Sequence, residues 1–371
     1  MKIVKLSAQS FNKLIALSLL FFSAQANALV VLQQVTVPVA VEYDTNPIMS
    51  SSRKQPIWRY TVTPKYTVTK TENQNTLFLN AGLNIQRSSN TSVSVNREDP
   101  SLAIGWGHDY ERGRFSLVGR YDKASSRFNE FTRTGIVDKD GSSMSKSISA
   151  SWSHMVTERL EALIDAQYLK STYSGSGFTN SSTKTINSTL SYDLNERIRP
   201  FVQISASKLS PEGTGEHSTI SQSYLIGAKV IVTPPLNISA SLGLNHEAAN
   251  GNGWIANSAV NYQAEKYSLQ GALSRAITPS GTGQFQKTDN FSLRYSYQLS
   301  DMVSVGTDFI WSNNSSDNGN EARQLVGWYT KDLSDLWQLK LSMNFKELKG
   351  ANQTANASVL GFTVIYNIPE F

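Results

Sequence analysis

No cysteine occurs in the 371 residues, which rules out disulfides and thiolate metal sites and leaves the redox compartment open. Long apolar runs are nearly as scarce. Hydrophobic residues make up 39% of the chain and the mean hydropathy is −0.30. After Phe22 nothing approaches the roughly 20 apolar residues that a membrane helix needs, so a helical membrane bundle is excluded. Helical spacing is also missing: no window sustains apolar residues at i, i+3 and i+4, and Ser, Thr, Asn and Gly are too frequent. The four histidines, His108, His154, His217 and His246, stand singly, so neither a metal centre nor a cofactor is expected.

What is present begins with a secretory pattern. Lys2, Lys5 and Lys13 precede the apolar run Leu14 to Phe22, and Ala26-Asn27-Ala28 supplies a small-x-small cleavage site, so residues 1–28 read as a signal peptide and 29–371 as the mature chain. A retained anchor is the alternative, disfavoured by the shortness of the run. Residues 1–28 hold three lysines and no acid, so their removal takes the formal net charge from +5 to +2. A balance so close to neutral leaves no electrostatic footprint for nucleic acid.

From Val35 onward, segments of about 10 residues alternate in polarity between clusters of turn-forming residues, as a transmembrane β-barrel requires. In the segment Leu336 to Lys346, Trp337, Leu339, Leu341, Met343 and Phe345 share one face, while Gln338, Lys340, Ser342, Asn344 and Lys346 share the other. Trp58, Tyr60, Val62, Tyr66 and Val68 are likewise opposed by Arg59, Thr61, Thr63, Lys65 and Thr67. The count comes to about 18 antiparallel strands, with 16 as the alternative. Eight short and nine long connections alternate strictly, which implies an even strand number with both termini on the short-turn side. A soluble sandwich or propeller would also alternate, but here nearly every strand is polar on its second face. Tyr43, Trp58, Trp106, Tyr110, Trp152, Trp254, Tyr262, Trp311, Trp328, Trp337 and Tyr366 fall near strand ends, as interfacial girdles do. Phe371 is out of phase with Phe362, Val364, Tyr366 and Ile368, and Pro369 interrupts the ladder before it, so the terminal strand is expected to be atypical or bulged.

The inward parity collects Arg59, Lys65, Arg114, Arg120, Arg199, Lys229, Arg294, Lys340 and Lys346 against Glu42, Asp109, Asp122, Glu161, Asp165 and Asp308. These are pore-lining candidates on a wall that leans basic. The alternatives are a mild preference for anions and a solvated, self-paired interior. Glu161 and Asp165, four apart on one strand face, lie about 13 Å from each other, too far for an acid/base pair. The connection from Ser125 to Ser143 exceeds the usual loop length, and Arg127, Phe128, Phe131 and Arg133 suit a segment that folds inward to constrict the bore. His246-Glu247-Ala248-Ala249-Asn250-Gly251 has no serine two residues after the histidine, so an outer-membrane lipase site is not expected and the chain reads as a non-enzyme.

The signal pattern, Glu42-Tyr43-Asp44-Thr45-Asn46-Pro47, and the turns Val156-Thr157-Glu158-Arg159-Leu160 and Leu194-Asn195-Glu196-Arg197-Ile198 resemble those of outer-membrane β-barrel porins of Gram-negative bacteria. Some of these are encoded with exopolysaccharide or exosortase systems. The resemblance implies location in the cell outer membrane among lipid and lipopolysaccharide, insertion by the barrel-assembly machinery, and passive passage of a hydrophilic solute or a secreted polysaccharide. A structural barrel with a closed lumen, its loops binding a partner, is the alternative.

Overall fold

Residues two apart on a strand share a face, and a closed wall with lipid outside and water inside selects for that split of apolar and polar side chains. The computed structural model describes residues 29–131, 140–175, 177–213, 217–248, 251–314, 319–350 and 354–368. Its strands are β1 (Leu29–Asp44), β2 (Ile57–Val62), β3 (Lys65–Glu72), β4 (Asn75–Ser88), β5 (Arg97–Tyr110), β6 (Gly113–Ser125), β7 (Ser142–Met155), β8 (Leu160–Ser174), β9 (Ser181–Tyr192) and β10 (Ile198–Pro211). They continue as β11 (Thr219–Thr233), β12 (Leu236–Glu247), β13 (Gly251–Gln263), β14 (Tyr267–Pro279), β15 (Phe285–Ser300), β16 (Val303–Asn314), β17 (Asn320–Asp332), β18 (Trp337–Lys349) and β19 (Thr354–Ile368).

Each strand pairs antiparallel with its chain neighbours, and β19 returns to β1 in the register Val35↔Ile368 through Asp44↔Val359, so the sheet closes without an edge. β2 and β3 are two halves of one stave. Both pair with β1 in a single register, Val39↔Val62 and Val35↔Tyr66, and the gap between them holds Pro64, which has no N–H to give the ladder. The wall is therefore a closed 18-stranded up-and-down barrel.

Connections fall alternately at the two ends of the barrel, eight at one and nine at the other; the longest, β1–β2, β4–β5, β6–β7, β8–β9 and β10–β11, all fall at the second, although β12–β13 and β18–β19 there are no longer than the turns of the first. Three of the turns share one local construction. The N–H groups of Val156, Leu194 and Leu333 donate to the carbonyls of Leu160, Ile198 and Trp337. Inside each, the side-chain oxygen of Thr157, Asn195 or Ser334 accepts one or two N–H groups from the residues that follow.

The outer face is apolar along its middle, with Ile104, Ile226, Leu242, Leu244 and Phe362 fully outward, and rings close both margins of this belt. Trp337 packs on Tyr366 at 4.7 Å near the tight turns, and Tyr43 on Trp58 at 4.9 Å near the longer connections. Trp328 departs from the expected girdle. Its ring turns inward and lies over Gly306 of the facing strand, where an added Cβ would meet Trp328 at 2.3 Å. Side chains buried from water, among them Asp44, Asn46, Ile57, Arg97, Leu209 and Ser312, gather at the end with the longer connections. The helix-free reading also fails at one point, since α1 (Ser126–Glu130) follows β6 directly. Residues 1–28, Pro369 and Phe371 lie outside the described residues, as does Arg133.

Candidate channel lumen and constriction

Closure of the sheet brings the inward-parity residues of distant strands onto one surface. Arg59, Lys65, Arg114, Arg120, Glu161, Asp165, Lys229, Arg294, Asp308, Lys340 and Lys346 all alternate with residues of the apolar belt and so face the lumen. Several are tied in ion pairs. Arg59 reaches Glu42 at 3.2 Å and Asp44 at 3.0 Å, Arg114 reaches Asp109 at 3.5 Å, and Arg294 reaches Asp308 at 2.6 Å. Arg199 bridges Glu161 and Asp193. Among the described residues, Lys65, Arg120, Lys229, Lys340 and Lys346 have no carboxylate at ion-pair distance. Among the described residues, Asp122, Asp165 and Asp332 on the same surface have no basic group at ion-pair distance either, so the five cations outnumber them and the unpaired charge of the described wall is basic.

The chain leaves β6 at Ser125 and enters α1, which carries the connection into the barrel. Ser126 and Glu130 are wholly buried and Phe131 nearly so. Phe131 packs with Met49, Ala322, Ala355 and Ala357, the last three on β17 and β19, five to eight staves from the strands that α1 joins. Lys346 of β18 stands 5.9 Å from the Phe131 ring. Glu130 accepts a hydrogen bond from the Tyr173 hydroxyl of β8 at 3.0 Å and lies against Gly281, between β14 and β15, where a Cβ would meet its carboxyl at 3.0 Å. Contacts with walls so far apart place Ser126 to Phe131 across the lumen. Phe128, 73% exposed, and Arg127 line the space beneath, a cavity of about 620 Å³ whose walls include Glu42, Arg59, Asp122 and Lys346.

Arg97 holds both ends of the β6–β7 connection, at Ala124 and at Asp140 and Gly141. Its Nε donates to Asp99 at 2.7 Å, one terminal nitrogen to Asp140 at 3.3 Å and the Gly141 carbonyl at 3.0 Å, and the other to the Ala124 carbonyl at 3.0 Å. The guanidinium is 4% exposed, and five donors in a rigid fork suit it to a site where a carboxylate and several carbonyls converge. The Ser126 N–H also donates to the Gly141 carbonyl at 3.0 Å, extending the β6–β7 ladder by one rung.

A second inward fold lies nearer the mouth. The connection after β14 reaches the one after β8, with the Thr179 N–H donating to the Gly281 carbonyl at 2.8 Å. Gly283, at φ +81°, fits against Thr179 and Pro211 in a conformation that an L side chain resists. Asn46, wholly buried, ties the β1–β2 connection to the barrel by donating to the Ser50 and Asn356 carbonyls at 2.8 and 2.9 Å.

The histidines are placed apart. His108 and His154 lie on the outer face, stacked on Trp106 and Trp152, and His246 meets Asn252 at 2.8 Å. Sequence reading missed Arg97, Glu130, Tyr173 and the inward Trp328. The signal for Trp328 was Gly306 opposite it. Arg97, Glu130 and Tyr173 carry no signal of their own, because their partners lie in other loops and strands.

No protein-family description and no curated protein matches this chain. Solved structures do. The outer membrane protein OpdK of Pseudomonas aeruginosa superposes with a TM-score of 0.51 at 10% identity, over 92% of this chain and 99% of that one. OccK5 (OpdH) of the same organism gives 0.51 at 11% identity, over 91% and 98%. OccAB4 of Acinetobacter baumannii gives 0.51 at 8% identity, over 92% and 98%. At such identities the likeness is one of fold. A closed barrel with an apolar, ring-bordered belt spans a bilayer, and barrels of this build stand in outer membranes. The chain has the outer-membrane porin fold.

Proposed function

We propose that this chain is an outer-membrane channel through which small hydrophilic solutes diffuse, with Ser126 to Phe131 setting the bore. The supporting observation is that α1 is held on opposite walls while Phe128 stays exposed to the lumen, so a wide barrel is narrowed at one level. An 18-stranded wall without such a segment would leave a broad aqueous passage. The unpaired Lys65, Arg120, Lys229, Lys340 and Lys346 favour anions over cations of equal size. In this reading the leader is removed after Ala28, the assembly machinery inserts the barrel, and the longer connections face outward.

A sealed barrel is the second reading, favoured by the contact of Thr179 with Gly281 over the mouth. Export of a polysaccharide rests on the sequence resemblance alone, and among the described residues no feature of the lumen singles out a sugar chain. Proteoliposomes test these readings together. Swelling in isotonic sugars should fall steeply from monosaccharide to trisaccharide, and the zero-current potential in a KCl gradient should have the sign of chloride preference. Absence of swelling for every solute would leave the sealed reading, and rapid passage of long oligosaccharides would remove the constriction.

A further inference from the structure

Basic side chains stand all along the outward rim above the belt, at the end with the longer connections. Around most of it each has an acid beside it: Arg87 with Glu98 at 2.6 Å, Arg275 with Asp289 at 2.6 Å, Arg323 with Glu321 at 2.6 Å, and Lys349 with Glu347 at 3.1 Å. The sector β7 to β10 differs. Lys146 stands directly across from Lys170, and Lys184 directly across from Lys208, while Tyr168 opposite Lys184 links the two pairs into one patch. Like charges in directly facing positions repel, so the sheet gains nothing from this arrangement by itself. Lys170 is partnered by Glu212 at 2.7 Å from the β10–β11 connection. Lys146, Lys184 and Lys208 are exposed and have no carboxylate at ion-pair distance among the described residues; Lys146 leans toward the Tyr121 ring at 6.0 Å. The other outward groups at this level are the hydroxyls of Thr172, Ser182 and Ser210 and the thioether of Met144.

Immediately below, toward the membrane centre, the same strands present Ile148 at 51% exposure, Ile186 at 53% and Ile204 at 55%. A cationic shelf over an apolar wall matches a lipid with anionic headgroup and several acyl chains. We infer that Lys146, Lys184 and Lys208 form a binding site for the phosphate groups of an acylated, phosphorylated glycolipid of the outer leaflet, its acyl chains lying on Ile148, Ile186 and Ile204. The orientation rests on the proposed outward placement of the longer connections; the site itself is independent of whether the lumen conducts. Charge complementarity selects the phosphates, and the isoleucines select a lipid over a free anion.

Each lysine near an anionic surface is worth about a fivefold change in affinity. The test is titration of the purified barrel by native mass spectrometry with bis-phosphorylated lipid A, lipid A stripped of phosphate, and inorganic phosphate. The wild type should bind the bis-phosphorylated form about a hundredfold more tightly than K146Q/K184Q/K208Q does at low salt, and far more tightly than the stripped form. R323Q/K349Q, which alters acid-paired positions on another sector, should behave as the wild type. Equal affinity of the wild type and the triple variant, indifference to the phosphates, or saturation by inorganic phosphate alone would each overturn the site. Should the triple variant fail to assemble, Lys184→Gln alone, expected to weaken binding about fivefold, tests the same position. Because affinity is read without conductance, a sealed channel and an absent lipid site give different results.

Discussion

The two ends of the barrel are built by different means. At the tight-turn end, the turns themselves are closed by hydrogen bonds between residues two to four apart, as where Thr157, Asn195 and Ser334 cap their own turns. At the other end the decisive bonds run between residues far apart in the chain, Asn46 to Asn356, Arg97 to Asp140, and Tyr173 to Glu130. The wholly buried polar side chains Asp44, Asn46, Ser126 and Glu130 belong to that end. The tight-turn end closes the wall, whereas the other end fills the wall's mouth and gives the lumen its shape. A site assembled from distant loops can change without disturbing the barrel that carries it, and this separation is what substitution can probe.

The largest effect is expected from Arg97→Ala. Removing one partner from a buried ionic cluster costs about 3 to 5 kcal/mol, and here the cost falls on the anchoring of the crossing segment. The variant should still form a heat-resistant barrel on gels, while brief proteolysis of the folded protein should cut between Ser126 and Phe131 faster than in the wild type. Cleavage unchanged from the wild type would show that α1 is held without Arg97. Loss of the barrel itself would erase the distinction between the two ends.

Next in size is a substitution in the wall. Leu341→Arg puts a charge on the lipid face near mid-membrane, at a cost of about 2 to 4 kcal/mol, and should lower the urea midpoint of unfolding from vesicles while leaving the rate of proteolysis between Ser126 and Phe131 unchanged. Lys340→Leu, one residue away on the lumen side, should shift that midpoint far less. Equal shifts would mean that the two faces of β18 are wrongly assigned.

This division also accounts for what the sequence discloses. Wall strands carry their instructions in adjacent residues, so the alternation of Trp337 through Phe345 and the turn residues around Thr157 and Asn195 were enough for the closed all-β architecture and for the placing of the longest connections at one end. Lumen-facing positions such as Arg59, Lys229 and Lys340 follow from the same parity. What parity cannot report is which charges meet across strands: Arg199 takes up Glu161 and Arg59 takes up Glu42 and Asp44, whereas Lys229 and Lys340 are left without an acid among the described residues. Trp328 shows where residue type misleads: a tryptophan near a strand end suggests an interfacial girdle, yet it lies opposite Ser342 on the lumen parity and packs over Gly306. Arg97 and Glu130 were out of reach for a different reason, their roles existing only after closure brings Ala124, Asp140, Tyr173 and Gly281 to them.

The hydrogen bond from Ser126 to Gly141 defines the decisive measurement. Deleting residues 128–139 joins Arg127 to Asp140 and leaves these two residues as the loop of a tight hairpin, with Ser126 and Gly141 as its last rung. The wall should then stand with its lumen unobstructed at that level. Single-channel conductance of this variant in planar bilayers is expected to rise severalfold over the wild type. An unchanged conductance in a variant that assembles normally would contradict the assignment of Ser126 to Phe131 as the constriction.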